Sequence, residues 1–284
     1  MRAIANPVKT YSVTLGSSVQ DQTEVVLPGF GALSGIILEL KVSLSGATDS
    51  ETSNTIDNVI SSIRLTDKAG DTIFDLKGTD LYLLQQVLSP TGQLQTPAGV
   101  TTSATGSGSQ EYNLFIPQTI AAADMNAKLA ITFAALSSLE NTNLTSAGTA
   151  TVTLNVRVLN TSAAVQTLRV KASDIATTVG DVEYGPFLPQ GNEEIALAVY
   201  ANGSTVAHAT LQTAGAALVQ RQTETAFKVE DELFLQGFHY TGMLIFRVPV
   251  FHVDSTTVFT INYSAVVTAN SRALSFSVKP QKRT

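Results

Sequence analysis

Leu38, Leu40, Val42 and Leu44 lie at alternate positions, and the residues between them, Glu39, Lys41 and Ser43, are polar. On a helix this spacing would scatter the apolar side chains around the axis. In an extended chain it places them all on one side. The same alternation runs through Ala150–Leu159, with Val152, Leu154, Val156 and Val158 on one face, and through Val258–Val266. Shorter runs rich in β-branched and aromatic residues occur at 23–27, 63–66, 72–76, 112–116, 129–133, 167–171, 195–200, 205–210, 244–250 and 274–278. Turn-forming clusters such as Asp67-Lys68-Ala69-Gly70-Asp71 and Ala201-Asn202-Gly203-Ser204 separate them. This many short strands with so little helical pattern predicts an all-β sandwich architecture.

Two stretches break the pattern. After Thr79 or Asp80, either of which can cap a helix, Leu81, Leu84, Val87 and Leu88 recur at helical spacing. Thr213–Arg221 reads as a second, weaker helix. Each follows two strands joined by a turn: Ile63–Thr66 and Thr72–Leu76 before the first, Leu197–Tyr200 and Thr205–Ala209 before the second. Further on, Leu114-Phe115-Ile116-Pro117 has a counterpart in Phe246-Arg247-Val248-Pro249, and Leu129–Phe133 one in Val258–Tyr263. A unit recurring at roughly 130 residues points to an internal duplication. The boundary falls in the small polar run Asn160–Ala164, dividing the chain into domains 1-162 and 163-284.

The side chains that carry chemistry are scarce. Cysteine is absent, which excludes disulfides, a thiol nucleophile and cysteine-based zinc sites. The histidines are His208, His239 and His252, and only His239 and His252 with Asp254 could form a pair suited to a base or a metal. A hydrogen-bonded histidine between strands is the better account of them. The acidic pairs Asp181/Glu183, Glu193/Glu194 and Asp231/Glu232 read as solvated loop acids, since neither calcium-loop spacing nor tryptophan accompanies them. No nucleophile elbow, phosphate loop or dinucleotide fingerprint is present. The expectation is a protein without catalytic residues, metal or cofactor.

Charge argues in the same direction. Only 14% of residues are charged, well below the usual quarter, and the net charge is −6. That disfavours a nucleic-acid binder, which needs a basic stripe. A surface poor in charge and rich in Thr, Ser and Ala suits burial against neighbours. The exception is the basic end Lys279, Lys282 and Arg283, which reads either as a solubilising tail or as a contact for anionic lipid or nucleic acid. The start of the chain has no apolar stretch of signal-peptide length, so synthesis in a cytoplasm is expected. The Gly, Thr, Ser and Pro run Ser89–Gln110 reads as a long loop unable to contribute to a core.

The duplicated units Ile63–Gln86 and Leu197–Arg221, with the closing strands Ala150–Leu159 and Val258–Val266, resemble the double jelly-roll major capsid proteins of tailless icosahedral viruses. Such phages often enclose a membrane. The resemblance implies two tandem eight-stranded jelly-roll sandwiches with short helices between strands. It further implies a homotrimer forming a pseudo-hexagonal capsomer, located in the virion shell. Its partners would be itself, neighbouring capsomers, other virion proteins and an internal membrane where there is one, without sequence-specific nucleic acid. Ser89–Gln110 would be a tower or intersubunit loop, and the Lys279–Arg283 end would face inward. Thr151 and Thr260 would be exposed strand-edge positions where a charge hinders assembly. The alternatives are a minor capsid, vertex or spike protein, an extracellular carbohydrate-binding or adhesive β-sandwich protein, and a sandwich enzyme built on His239, His252 and Asp254.

Overall fold

A computed structural model describes residues 4–29, 31–46, 52, 54–88, 97–102, 106–139, 148–174, 179–183, 193–200, 206–212, 219–223, 225–226, 229, 243–252, 257–265 and 272–278. The chain divides into two compact units between Thr167 and Leu168, apart from one segment outside the described residues. The sequence had placed domains at 1-162 and 163-284. Thr167 stays with the first unit because its hydroxyl donates to Asp124 Oδ2 at 2.5 Å and accepts from Ala121 N at 2.9 Å. The preceding Gln166 carbonyl accepts from Thr119 Oγ1 at 2.8 Å.

In the first unit, β1 (Ile4–Thr14), β9 (Thr149–Thr161), β4 (Ala32–Ser45) and β7 (Ser107–Ile116) pair in that order. The second sheet runs β2 (Gln20–Asp21), β8 (Lys128–Phe133), β5 (Ile60–Thr66) and β6 (Thr72–Leu76), with β3 (Val25–Val26) also on β8. The two short strands β2 and β3 lie along successive parts of β8 and act as one interrupted strand. The second unit pairs β10 (Leu168–Asp174), β17 (Arg272–Val278), β12 (Glu193–Tyr200) and β15 (Met243–His252). Its other sheet is β11 (Gly180–Glu183), β16 (Val258–Tyr263), β13 (Val206–Gln212) and β14 (Val219–Thr223). Counting β2 and β3 as one, each unit has, among the described residues, its first, eighth, third and sixth strands in one sheet. The second, seventh, fourth and fifth make the other. That order is an eight-stranded jelly roll, and it occurs twice.

The alternation seen in the sequence decides which face is buried. In β4, Ile36, Leu38, Leu40, Val42 and Leu44 are at most 3% exposed, and in β9 Val152, Leu154, Val156 and Val158 at most 1%. Leu129, Ile131 and Phe133 of β8 and Ile63 and Leu65 of β5 line the opposite sheet and are equally buried. At about 1.5–3 kcal/mol per fully buried side chain, the five from β4 alone supply on the order of 10 kcal/mol of transfer free energy. The helix α1 (Gly78–Leu88) packs on β7 of one sheet and on β5 and β6 of the other, with Leu81 and Leu84 wholly buried. Asp80 accepts from Lys77 N at 2.9 Å, so the first-turn carboxylate caps the backbone that precedes it.

The structure corrects several readings. Residues 219–221, expected to end a helix, belong to β14, and 213–218 lie outside the described residues. The hairpin equivalent to β5–β6 is therefore β13–β14, one strand later than the sequence pairing placed it. The pairing of Leu129–Phe133 with Val258–Tyr263 agrees with the structure, where β16 is the counterpart of β8, but the strand that closes the second unit is β17 and not Val258–Val266. The physical reason is position. β14 pairs on one side only, and its Val-Gln-Arg-Gln-Thr run shows the polarity an edge strand tolerates. The unexpected β1 is another edge strand, and Pro7 occupies a register shift between Pro7 and Lys9. Part of the run expected to lie outside any core is also ordered into one. Val100 is fully buried, Val100 N donates to Thr52 Oγ1 at 2.8 Å, and Ser107–Gln110 begin β7.

Candidate assembly surface

The outward face of the sheet β1-β9-β4-β7 is polar and small. Across it, Thr10 Oγ1 donates to Asn155 Oδ1 at 2.8 Å, and Asn155 Nδ2 donates to Glu39 Oε2 at 3.3 Å. Arg157 Nε lies 3.4 Å from Glu39 Oε1, and Lys41 Nζ lies 2.8 Å from Glu111 Oε1. Ser45 and Thr149 share a hydroxyl contact of 2.6 Å. These partners stand side by side because the strands pair in register: Glu39 opposite Asn155, and Lys41 opposite Glu111. Exposed pairs of this kind are each worth less than about 1 kcal/mol to the fold. Their consequence is that the charges of the face are already neutralised, which lowers the cost of removing it from water.

At one end the face turns apolar. Phe115, 39% exposed, stands opposite the half-buried Ile37, and its ring lies over Gly35. A Cβ at Gly35 would come within 2.4 Å of Phe115 Cε2, so the flat seat for this ring depends on the glycine. Phe115 with Ile37, rimmed by Glu39 and Arg157, has the composition of an interface centre: an aromatic ring within a polar border.

Elsewhere the chemistry is thin. An open cleft of about 390 Å³ beside the β5–β6 hairpin is lined by Glu24, Arg64, Asp67, Lys68 and Lys128. Two of these, Lys128 and Glu24, are paired at 3.1 Å, and Asp67 is a turn-former whose Oδ1 accepts from Ala69 N and Asp71 N. Asp57 is buried, and burial raises its carboxyl above the usual range against the opposing pull of Thr55 Oγ1 and two backbone N–H groups. Burial, helped by the Asp57 and Tyr82 charges, also pushes the Tyr112 phenol up. Among the described residues no group of three or more His, Asp or Glu could hold a metal.

The expected site residues fall in different places. Lys279, Lys282 and Arg283, like His239 and Asp254, lie outside the described residues. His252 ends β15 opposite Glu193 of β12, and His208 is on β13, in another sheet. Asp181 and Glu183 were expected in a loop and are on β11, which pairs with β16. Thr151 and Thr260, expected at strand edges, lie in inner strands and are half-buried. Their outward direction was correctly read from alternation, but edge or centre depends on which strands are neighbours. The Phe115 seat was not anticipated. The pairing of an aromatic with a strand glycine is a sequence signal only once β4 and β7 are known to be adjacent.

No protein-family model matches the chain, and no curated protein does. Solved structures do. The major capsid protein of STIV superposes with a TM-score of 0.67 at 12% identity, over 95% of this chain and 96% of that one. A chain from the atomic structure of Sulfolobus Turreted Icosahedral Virus gives 0.65 at 14% identity, over 95% and 90%. The PBCV-1 virus capsid gives 0.54 at 9% identity, over 95% and 93%. At these identities the likeness is one of fold, and the fold is the double jelly roll of those viral capsids.

Proposed function

We propose that this chain is a structural virion protein, the major capsid protein of an icosahedral shell, and that three copies form a pseudo-hexagonal capsomer. The observation that carries the reading is the doubled strand order. One chain presents two units of identical topology, so a threefold ring of chains presents six similar units and can tile a hexagonal lattice. The length match supports it, since the similarity spans nearly all of this chain and of the STIV capsid protein. The outward face of the first sheet, with its charges paired, supports assembly rather than catalysis. In such a shell the basic end Lys279–Arg283 would meet an anionic inner layer.

Light scattering on the purified protein tests the proposal. A mass of three times 29.9 kDa is expected, with hexagonal arrays or shells by electron microscopy as the concentration rises. A species that stays at 29.9 kDa at every concentration and salt, and yields no particles, overturns it.

A further inference from the structure

β9 and β17 hold the same place in their units: each is the last strand and sits second in its sheet. Their burial differs. In β17, Leu274, Phe276 and Val278 are buried, and so are Ala273, Ser275 and Ser277 on the opposite face, the two serines at 0% and 1% exposure. Both faces of that strand are dry within a single chain. In β9 only the core face is dry. Thr151, Thr153 and Asn155 are half-buried, and Arg157 is exposed. A jelly roll alone does not require dry serines on its outer face, and burying hydroxyls costs free energy unless packing and hydrogen bonds repay it. The outward face of β17 is therefore covered where that of β9 is open.

We propose that the outward face of β1-β9-β4-β7, centred on Thr153 and reaching to Phe115, is the surface covered by a second copy of this chain. This rests on the assembly reading and names its contact. The size is right. Four strands about 4.8 Å apart and about 11 residues long make a face of roughly 700 Å². A standard interface buries about 800 Å² per partner. The charge is right as well. Two copies each carrying −6 repel overall, yet Glu39, Lys41, Glu111 and Arg157 on this face form two internal pairs and contribute no net charge. Phe115 and Ile37 supply the apolar centre that such a contact needs. The outward face of β17, which holds the equivalent place in the second unit, is already covered, so the partner presents a different surface of its own. A heterologous contact whose rotation closes makes a ring of copies.

The chain has no cysteine, so single-thiol variants report one position each. Thr153→Cys and Ser109→Cys place a thiol on the face, and Ala69→Cys places one on the exposed β5–β6 hairpin as reference. Maleimide labelling is followed in dilute monomer and in the oligomer isolated by size exclusion, with the urea-unfolded chain giving the full thiol content and circular dichroism checking the fold. Labelling of Thr153→Cys, relative to Ala69→Cys, is expected to slow about tenfold or more in the oligomer, because the position reacts only when the contact opens. An oligomer in which both face thiols react as fast as in monomer overturns the inference and leaves the assembly reading standing. A chain that never oligomerises overturns both.

Discussion

Gly78 opens α1, and helix propensity alone says that alanine there should stabilise the protein by up to about 1 kcal/mol. The tertiary structure says the reverse. A Cβ built at Gly78 would lie 1.9 Å from the carbonyl oxygen of Asp57 and 3.0 Å from Ile60 Cβ. The obstacle is backbone and cannot swing aside. That carbonyl also accepts the Ile60 N–H that ends the 3₁₀ turn Ile56–Val59. Relief requires either the turn or the helix start to move by more than about 1 Å, which loosens the packing of Leu81 and Leu84 or breaks the turn's hydrogen bond. Overpacking of this kind costs about 1–3 kcal/mol, and the lost bond about 1 more. Set against the propensity gain, Gly78→Ala is expected to lose about 1–3 kcal/mol. Urea unfolding followed by far-ultraviolet circular dichroism measures it as a lower midpoint at unchanged slope. Gly70→Ala serves as comparison: φ there is +91° but nothing lies within 4 Å, so only backbone strain of about 1 kcal/mol applies. A Gly78→Ala variant as stable as wild type, or more so, refutes the steric argument.

Three other outcomes are expected. Because burial raises the Asp57 carboxyl above 3.8, the ionised group costs stability as pH climbs through its folded value; Asp57→Asn, which keeps an acceptor for Thr55, should gain on wild type between pH 3 and pH 7 in urea titrations. A stability difference that does not change with pH contradicts the burial argument. Asp67→Ala removes the acceptor for Ala69 N and Asp71 N in the β5–β6 turn and should cost about 1–2 kcal/mol by thermal melting, with no loss counting against it. Phe115→Ala should leave the melting temperature within a few degrees of wild type while raising the concentration needed for oligomers in sedimentation; unchanged association would remove Phe115 from the contact.

The strands with the strongest alternation were legible without a structure. β4, β9 and β16 each carry their own buried face in their own residues, because period two is a property of one strand and needs no knowledge of its neighbours. The Asp67–Gly70 turn was legible for the same reason, its hydrogen bonds being made within a few residues. So was the presence of two similar units. The alignment of those units was not. The polar β14 passed for the end of a helix, and the duplication slipped by one strand along the first part of the repeat.

What the sequence by itself determined is thus the class of the protein: mostly β, doubled, short of charge and short of catalytic side chains. Tertiary structure alone decided which strands are edges, why β1 and β14 can be irregular or polar, and how Val100 of a Gly- and Ser-rich run reaches the core. It also decided that Gly35 seats Phe115, that Gly78 clears the Asp57 carbonyl, and that β17 is dry on both faces while β9 is dry on one. Each of these depends on two segments far apart in the chain meeting at van der Waals distance. Local periodicity records which way a side chain points, and only the packed fold records what it meets there.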